Sequence, residues 1–270
     1  MTKNAVLTKE EFKSFELNSR TNSFIEEYAA TNNRDKCEVS ILDWGCGRGR
    51  DVLWLNEQGY KACGVDVSNT PVNNGRNLFR EKGFSPENLQ VLSKDGLANF
   101  ADESFDIVFS NQVFEHVSDM EVVSKELHRL TKSKGIGFHV FPSHRHLVEC
   151  HLKMPFVHWL PKNRLRKLLI SFYVKLGLSP NWGELAQLSA KGITNAFYEY
   201  SVDCTHYRRF KKIKRVFEEK GFEVYFTITK HPSISQSKIG ALFLRFRLLN
   251  SLLAYFLNSF KRVELYVVKQ

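Results

Sequence analysis

Two carboxylates and a run of glycines carry the most informative chemistry in this sequence. The stretch Ile41-Leu42-Asp43-Trp44-Gly45-Cys46-Gly47-Arg48-Gly49 ends a short apolar run in an acid, then lets the backbone turn tightly beside a ligand. A second apolar run ends in Asp66, where a carboxylate can accept both hydroxyls of a ribose. Together they describe a nucleoside pocket at the C-terminal ends of parallel strands. The spacing G-x-G-x-G departs from the dinucleotide fingerprint, because Arg50 stands where its last glycine belongs. No G-K-[ST] follows to make a phosphate loop. An acid in the first turn repels a pyrophosphate and suits a ligand with an ammonium group, of which S-adenosylmethionine is one.

The elements that must position these residues alternate. Apolar runs at 39–42, 62–67, 89–92, 105–110 and 135–141 read as strands. Residues 50–58, 72–82 and 120–130 read as helices between them. This is a βα series, a Rossmann-like parallel sheet with helices on both faces. Residues 1–36 form an N-terminal segment with a helix expected near 10–30, and 37–141 form the nucleoside-binding core. The alternation stops at Pro142. Residues 142–206 are too many for a structureless loop and read as a helical insertion after the fifth strand, with a helix over 164–176. Residues 207–270 complete the core with a helix over 211–220, a strand over 222–229, an amphipathic helix over 239–260 and a last strand over 263–268.

The sequence resembles the class I S-adenosylmethionine-dependent methyltransferases, in the group of small-molecule enzymes similar to ubiquinone-type O-methyltransferases. The resemblance covers 39–141 well and 206–229 more weakly. It rests on four ordered motifs: Asp43-x-Gly45-x-Gly47-x-Gly49; Gly64-Val65-Asp66-Val67-Ser68; Lys94-Asp95-Gly96; and Phe105 to Val117, ending Asn111-Gln112-Val113-Phe114-Glu115-His116-Val117. It implies a seven-stranded sheet whose last strand is antiparallel. It also implies a donor pocket formed by Asp43, Gly45, Cys46, Gly47, Asp66, Val67, Asp95, Gly96, Asn111 and Gln112. Asp66 would bind the ribose, Asp95 would face the adenine amino group, and Asn111 and Gln112 would lie where donor and acceptor meet. Read singly, Asp43 could cap a helix and Asp95-Gly96 could be an ordinary turn. His116 stands where the family commonly has a histidine and reads as structural or as donor-pocket lining.

The acceptor is read partly from absences. Neither an Asn/Asp-Pro-Pro-Tyr/Phe motif nor a Pro-Cys nucleophile follows the fourth strand, so an oxygen on a small molecule is expected. The insertion should supply the acceptor pocket. His206, in the run His206-Tyr207-Arg208-Arg209-Phe210, is the first choice for a base, with Asp203 to hold its ring. His144 is the second choice, Asn111 borders the reaction centre, and His146 and Arg208 are read as acceptor contacts. The plainer alternative has His206 capping the following helix. His144, His146 and His151 lack a supporting carboxylate pair, so no metal is expected. The stretch Met154 to Asn163 is similar to segments of methyltransferases associated with bacterial envelope-glycan synthesis, which implies a lipid-linked or glycan-like acceptor.

Composition bounds the rest. The chain has 270 residues, 43% hydrophobic and 25% charged, as in a folded domain. Its net charge of +10 is concentrated between Pro142 and Arg215, which hold 14 Lys/Arg against 4 Asp/Glu. That surplus fits an anionic acceptor or peripheral contact with an anionic membrane. The alternative function is an RNA-directed methyltransferase, or a noncatalytic binding module of the same fold for RNA or membrane. Nucleic acid is not the expected partner. Five cysteines without a C-x-x-C pair and a polar N-terminus point to the cytoplasm, at most peripheral at the inner face of a membrane.

Overall fold

The computed structural model describes residues 15–270. Seven strands form one sheet in the order β3-β2-β1-β4-β5-β7-β6. They are β1 (Ser40–Trp44), β2 (Lys61–Asp66), β3 (Leu89–Val91), β4 (Phe105–Asn111), β5 (Thr131–Pro142), β6 (Phe222–Phe226) and β7 (Arg262–Lys269). β1 to β5 pair in parallel, and β7 runs antiparallel to both β5 and β6. This is the expected methyltransferase-like sheet. β1 pairs with both β2 and β4, so the strand order reverses there. The ends of β1 and β4 splay connections to opposite faces and open a crevice above the sheet.

The helices are α1 (Ser19–Thr31), α2 (Arg50–Glu57), α3 (Asn69–Glu81), α4 (Met120–Leu130), α5 (Arg164–Lys175), α6 (Ala190–Asp203), α7 (Phe210–Glu218), the single turn α8 (Pro232–Ser235), α9 (Lys238–Arg245) and α10 (Arg247–Phe260). The two-residue period of the strands splits the core into two layers. Ile41, Ile107, Phe109 and Phe138 point to one face and pack with Val52, Leu53 and Phe79 of α2 and α3. Leu42 and Val108 point to the other and pack with Leu127 of α4 and Phe217 of α7. Each fully buried side chain of this size contributes roughly 1.5–3 kcal/mol.

A buried ionic knot ties the bottom of the sheet. Asp106 accepts from Arg34 Nη1 (2.5 Å), Lys132 Nζ (2.8 Å), and the backbone N–H (2.9 Å) and hydroxyl (2.6 Å) of Ser40. This joins the connection after α1 to β1, β4 and β5 at the end of the sheet away from the crevice.

The insertion is a folded unit. Asn163 caps α5 by accepting from Leu165 N, and Ser189 caps α6 by accepting from Gly192 N. α5 and α6 pack around a third core of Leu152, Met154, Ile170, Val174 and Phe197. Several expectations differ in detail, and the strand expected over 222–229 stops at Phe226, before a 3-10 turn over Ile228–Lys230. The helix expected near 10–30 falls outside the described residues up to position 14, is not helical over 15–18, and is observed from Ser19 as α1. β5 starts at Thr131 rather than 135, because a bulge between Phe105 and Ile107, with Lys134 at φ 61°, carries the polar 131–134 stretch into the ladder. The single helix expected over 239–260 is two, interrupted at Phe246, whose φ of −115° and ψ of 120° are extended. A hydrophobic stripe continues across a one-residue break, so periodicity does not register it.

α10 buries polar residues at its C-terminal end. Asn258 and Ser259 are buried, while Leu252, Tyr255 and Phe256 stay exposed, as do Leu242 of α9 and Leu248. Among the described residues no helix is long and apolar enough to cross a membrane.

Candidate active site

The floor of the crevice is the turn between β1 and α2. Gly45 and Cys46 donate backbone N–H groups to the Val65 carbonyl at 2.8 and 3.0 Å, closing the turn against β2. Gly45 sits at φ +86°, and a Cβ there would meet Val113 Cγ2 at 2.4 Å. Gly47, at φ +54°, borders the cavity, and a Cβ there meets nothing within 4 Å. The backbone is thus bare where a ligand would lie. Asp66 terminates β2, accepting from Gly47 N (2.9 Å) and Ser68 N (2.8 Å). Each oxygen uses one lone pair, so the carboxylate is fixed in place with acceptor capacity left for two hydroxyls.

Asp43 is 4% exposed beneath this turn and does not border the cavity. Burial, reinforced by the charges of Asp51 and Asp66, pushes its carboxyl well above the usual range. Burial also raises Asp51, against the pull of Arg50, to about 6. A cation bound above the turn would favour the ionised forms of Asp43 and Asp51, which burial disfavours in its absence.

The cavity over this floor has a volume of about 1110 Å³. That exceeds the roughly 300–1,000 Å³ of a single drug-sized site and leaves room for a second molecule beside a nucleoside. Asp66, Val67 and Ser68 form one side, and Lys94, Asp95 and Gly96 the next. Gln112 and Val113 follow β4, with Ser118 and Asp119 beyond. Gln112 takes φ +57° and donates its N–H to the Val140 carbonyl at 2.8 Å, turning the chain out of the sheet.

The far wall comes from the insertion: His151, Trp182, Tyr200 and Cys204, meeting His116 of the core. His116 Nδ1 lies 2.6 Å from the Cys204 carbonyl, and its Nε2 lies 3.1 Å from His151 Nε2. His151 Nδ1 lies 2.9 Å from Glu149 Oε1, which also accepts from the Tyr207 hydroxyl at 2.6 Å. Glu149 is buried; despite that burial, these donors and Leu152 N hold its carboxyl below the usual range. Glu115 is buried with neither carboxylate oxygen hydrogen-bonded, and burial raises it to about 7. Burial lowers His116, against the Cys204 carbonyl. For His151 burial is outweighed by Glu149, and its pKa rises.

Of the residues expected at a donor pocket, Gly45, Gly47, Asp66, Val67, Asp95, Gly96 and Gln112 border this cavity. Asp43, Cys46 and Asn111 do not; Asn111 is exposed at the last position of β4. The residues expected at the acceptor lie elsewhere. His206 Nε2 contacts the Asp203 carbonyl at 3.2 Å, its N–H is held by the Glu115 carbonyl, and it is not among the cavity's lining. Arg208 donates to the carbonyls of His206 (2.9 Å) and Ser118 (2.5 Å), so it clamps backbone. His146 Nδ1 contacts the Val148 carbonyl at 2.7 Å. His144 borders a separate cavity of about 140 Å³ with Arg145, Arg209, Lys211 and Tyr255.

The histidine the insertion brings to the large cavity is therefore His151. Its partner carboxylate stands two residues before it in the sequence, in Glu149-x-His151. That spacing was the available signal; the contact with His116 comes from the turn of the insertion over the sheet.

Residues 42–138 match the model of a methyltransferase domain. The ubiquinone biosynthesis O-methyltransferase of Pseudomonas syringae pv. tomato is 33% identical over 98 residues, which are 36% of this chain and 42% of that protein. The chain thus spans about two fifths of the length of this curated relative. The crystal structure of the YcgJ protein from Bacillus subtilis is similar at a TM-score of 0.50 and 15% identity, over 94% of this chain and 99% of that one. The Haemonchus contortus phosphoethanolamine N-methyltransferase 2, in complex with phosphomonomethylethanolamine and S-adenosylhomocysteine, is similar at a TM-score of 0.51 and 15% identity, over 94% of this chain and 53% of that one. At these identities the structural likenesses establish the fold.

Proposed function

We propose, for a chain whose residues 42–138 are a class I S-adenosylmethionine-dependent methyltransferase domain, that it moves a methyl group from S-adenosylmethionine onto an oxygen of a small acceptor. The observation that carries this reading is one cavity with two unlike ends. At one end, Gly47 and Asp66 present bare backbone and a fixed carboxylate. At the other stand His116, His151 and Tyr200. Asp66 would hold the ribose, Asp95 the adenine edge, and the acids under the turn would favour the cationic amino-acid end. The donor supplies an electrophilic methyl. The C–O bond forms as the C–S bond breaks, the electron pair stays on sulfur, and the proton of the acceptor oxygen is released to solvent. The chain's part is to align the two molecules and exclude water. His206 and His144 stand off this cavity, so neither is assigned the proton.

A methyl-transfer screen with labelled donor against metabolite and lipid extracts tests this. Labelled product dependent on Asp66 is the expected result. Salt-sensitive binding to RNA with no labelled small product would favour the RNA or noncatalytic alternative.

The exposed apolar side of α9 and α10 supports a lipid-linked acceptor met at a membrane surface. Leu242, Phe246, Leu252 and Phe256 are each more than half exposed, and Arg245, Arg247 and Lys261 flank them. Tyr255 on the same helix borders the basic cavity of Arg145, Arg209 and Lys211. Co-sedimentation with phosphatidylglycerol vesicles, lost in a Leu252→Glu, Phe256→Glu variant, would support this reading; equal sedimentation of both proteins would remove it.

A further inference from the structure

The contact between His116 and His151 is not self-sufficient. His116 Nδ1 faces a carbonyl oxygen, which only accepts, so it must carry the hydrogen. His151 Nδ1 faces a carboxylate, which also accepts, so it too carries the hydrogen. With both rings neutral, the two Nε2 atoms are lone pairs, and they point at each other across 3.1 Å. Something positive must lie between them.

A proton would serve the two rings but would leave Glu115 unanswered. Glu115 is 2% exposed, with both carboxylate oxygens buried and without a hydrogen-bond partner. Its Oε1 is 4.0 Å from His116 Nε2, and one ligand atom from each of Glu115, His116 and His151 lies within 4.8 Å of the others. A buried carboxyl without a partner either carries an uncompensated charge or gives that charge up, and as a neutral acid it still leaves a buried hydroxyl without an acceptor. A divalent cation answers all three groups at once.

The geometry also suits an ion. Two imidazole nitrogens bound at about 2.0–2.1 Å to one metal stand roughly 2.8–3.4 Å apart for angles between right and tetrahedral. The observed 3.1 Å falls inside that range. Glu115 needs an inward shift of about 1 Å to join them. The outer partners are those that orient ligating histidines: a backbone carbonyl on one ring and a carboxylate on the other. That carboxylate, Glu149, is itself held by Tyr207 and by the N–H groups of His151 (2.8 Å) and Leu152 (2.5 Å).

We propose that Glu115, His116 and His151 form a site for one divalent transition-metal ion, through the carboxylate and the two Nε2 atoms, with its remaining positions open to the large cavity. Two imidazoles and one carboxylate suit Zn²⁺, Fe²⁺, Co²⁺ or Ni²⁺ better than Ca²⁺ or Mg²⁺. An acceptor oxygen in an open position would lose its proton more readily. This last step rests on the methyl-transfer reading above; the ion site does not.

The test is a Co²⁺ titration of the full chain after treatment with a chelator, with no donor or acceptor present, so that failure of the site and failure of the methyl-transfer reading are distinguishable. Visible absorption of Co²⁺ should saturate at one equivalent per chain. His151→Ala and Glu115→Gln should each weaken binding about tenfold or more. A single cooperative thermal transition without metal, at a temperature lowered by the loss of the bond to Glu149, shows that His151→Ala is folded. No uptake by the wild-type chain, or uptake unaltered in a folded His151→Ala, would overturn the proposal.

Discussion

His116 Nε2 and His151 Nε2 meet at 3.1 Å, one from the segment after β4 and the other from the insertion. The pair marks where the insertion meets the core at the rim of the large cavity. It is backed on one side by the Cys204 carbonyl and on the other by Glu149, so its position depends on both ends of the insertion. Changes well outside the nucleoside end should therefore reach the acceptor end through this pair.

Tyr207→Phe tests that dependence. It removes the 2.6 Å hydrogen bond to Glu149 Oε1 and nothing apolar. A hydrogen bond to a buried charged acceptor contributes about 1.5–3 kcal/mol, so the variant should unfold at lower temperature. His151 loses part of its orientation, so KM for the acceptor should rise while affinity for the donor stays. Equal loss of donor affinity, read by calorimetry, would contradict the division of the cavity into two ends.

Gly45→Ala should disable the donor end. The added methyl meets Val113 Cγ2 at 2.4 Å, and the residue would have to hold φ +86°. That conformation alone costs about 1–2 kcal/mol for a residue with a Cβ. Donor affinity should fall by more than tenfold, measured by titration with S-adenosylhomocysteine. Gly59→Ala shares the positive φ but meets no neighbour, and it should leave donor affinity unchanged.

Asp106→Asn should lower stability in a pH-dependent way. Burial opposes ionisation of Asp106, but Lys132, Ser40 and Arg34 outweigh it and bring its carboxyl down to about 2. The folded-state pKa is thus below the unfolded value of about 3.9, and the stabilisation is present above that value. It is lost as pH falls toward 2. Urea unfolding should show the variant weaker by about 2 kcal/mol at pH 7, with the difference shrinking below pH 4. A difference that does not change with pH would assign the effect to packing instead.

The sheet was legible because its strands are short apolar runs ended by glycine or aspartate, and Asp43 and Asp66 announce the crevice by their spacing. The insertion was legible only as a break in that alternation. Its helix α6 begins at Ser189-Ala190, and its buried Thr194 and Phe197 give too thin an apolar face to mark the helix against Tyr198 and Tyr200. His206 drew attention because it stands in a familiar run, yet its ring rests on the end of the preceding helix, α6. His151 carried no such context. What makes it a cavity residue is the return of residues 149–152 over His116, a contact between positions 35 apart. No periodicity encodes that fold-back. The inward Asn258 and Ser259 of α10 were hidden for a related reason: an amphipathic pattern fixes which side is apolar but not which side faces the sheet.

The central claim is that the bare glycine turn and Asp66 hold S-adenosylmethionine, and isothermal titration of the full chain with that molecule tests it most directly. The account predicts one site per chain and a loss of at least about thirtyfold in Asp66→Ala, equal to roughly 2 kcal/mol. No heat of binding in the wild-type chain, or an Asp66→Ala variant that binds as tightly as wild type, would contradict it.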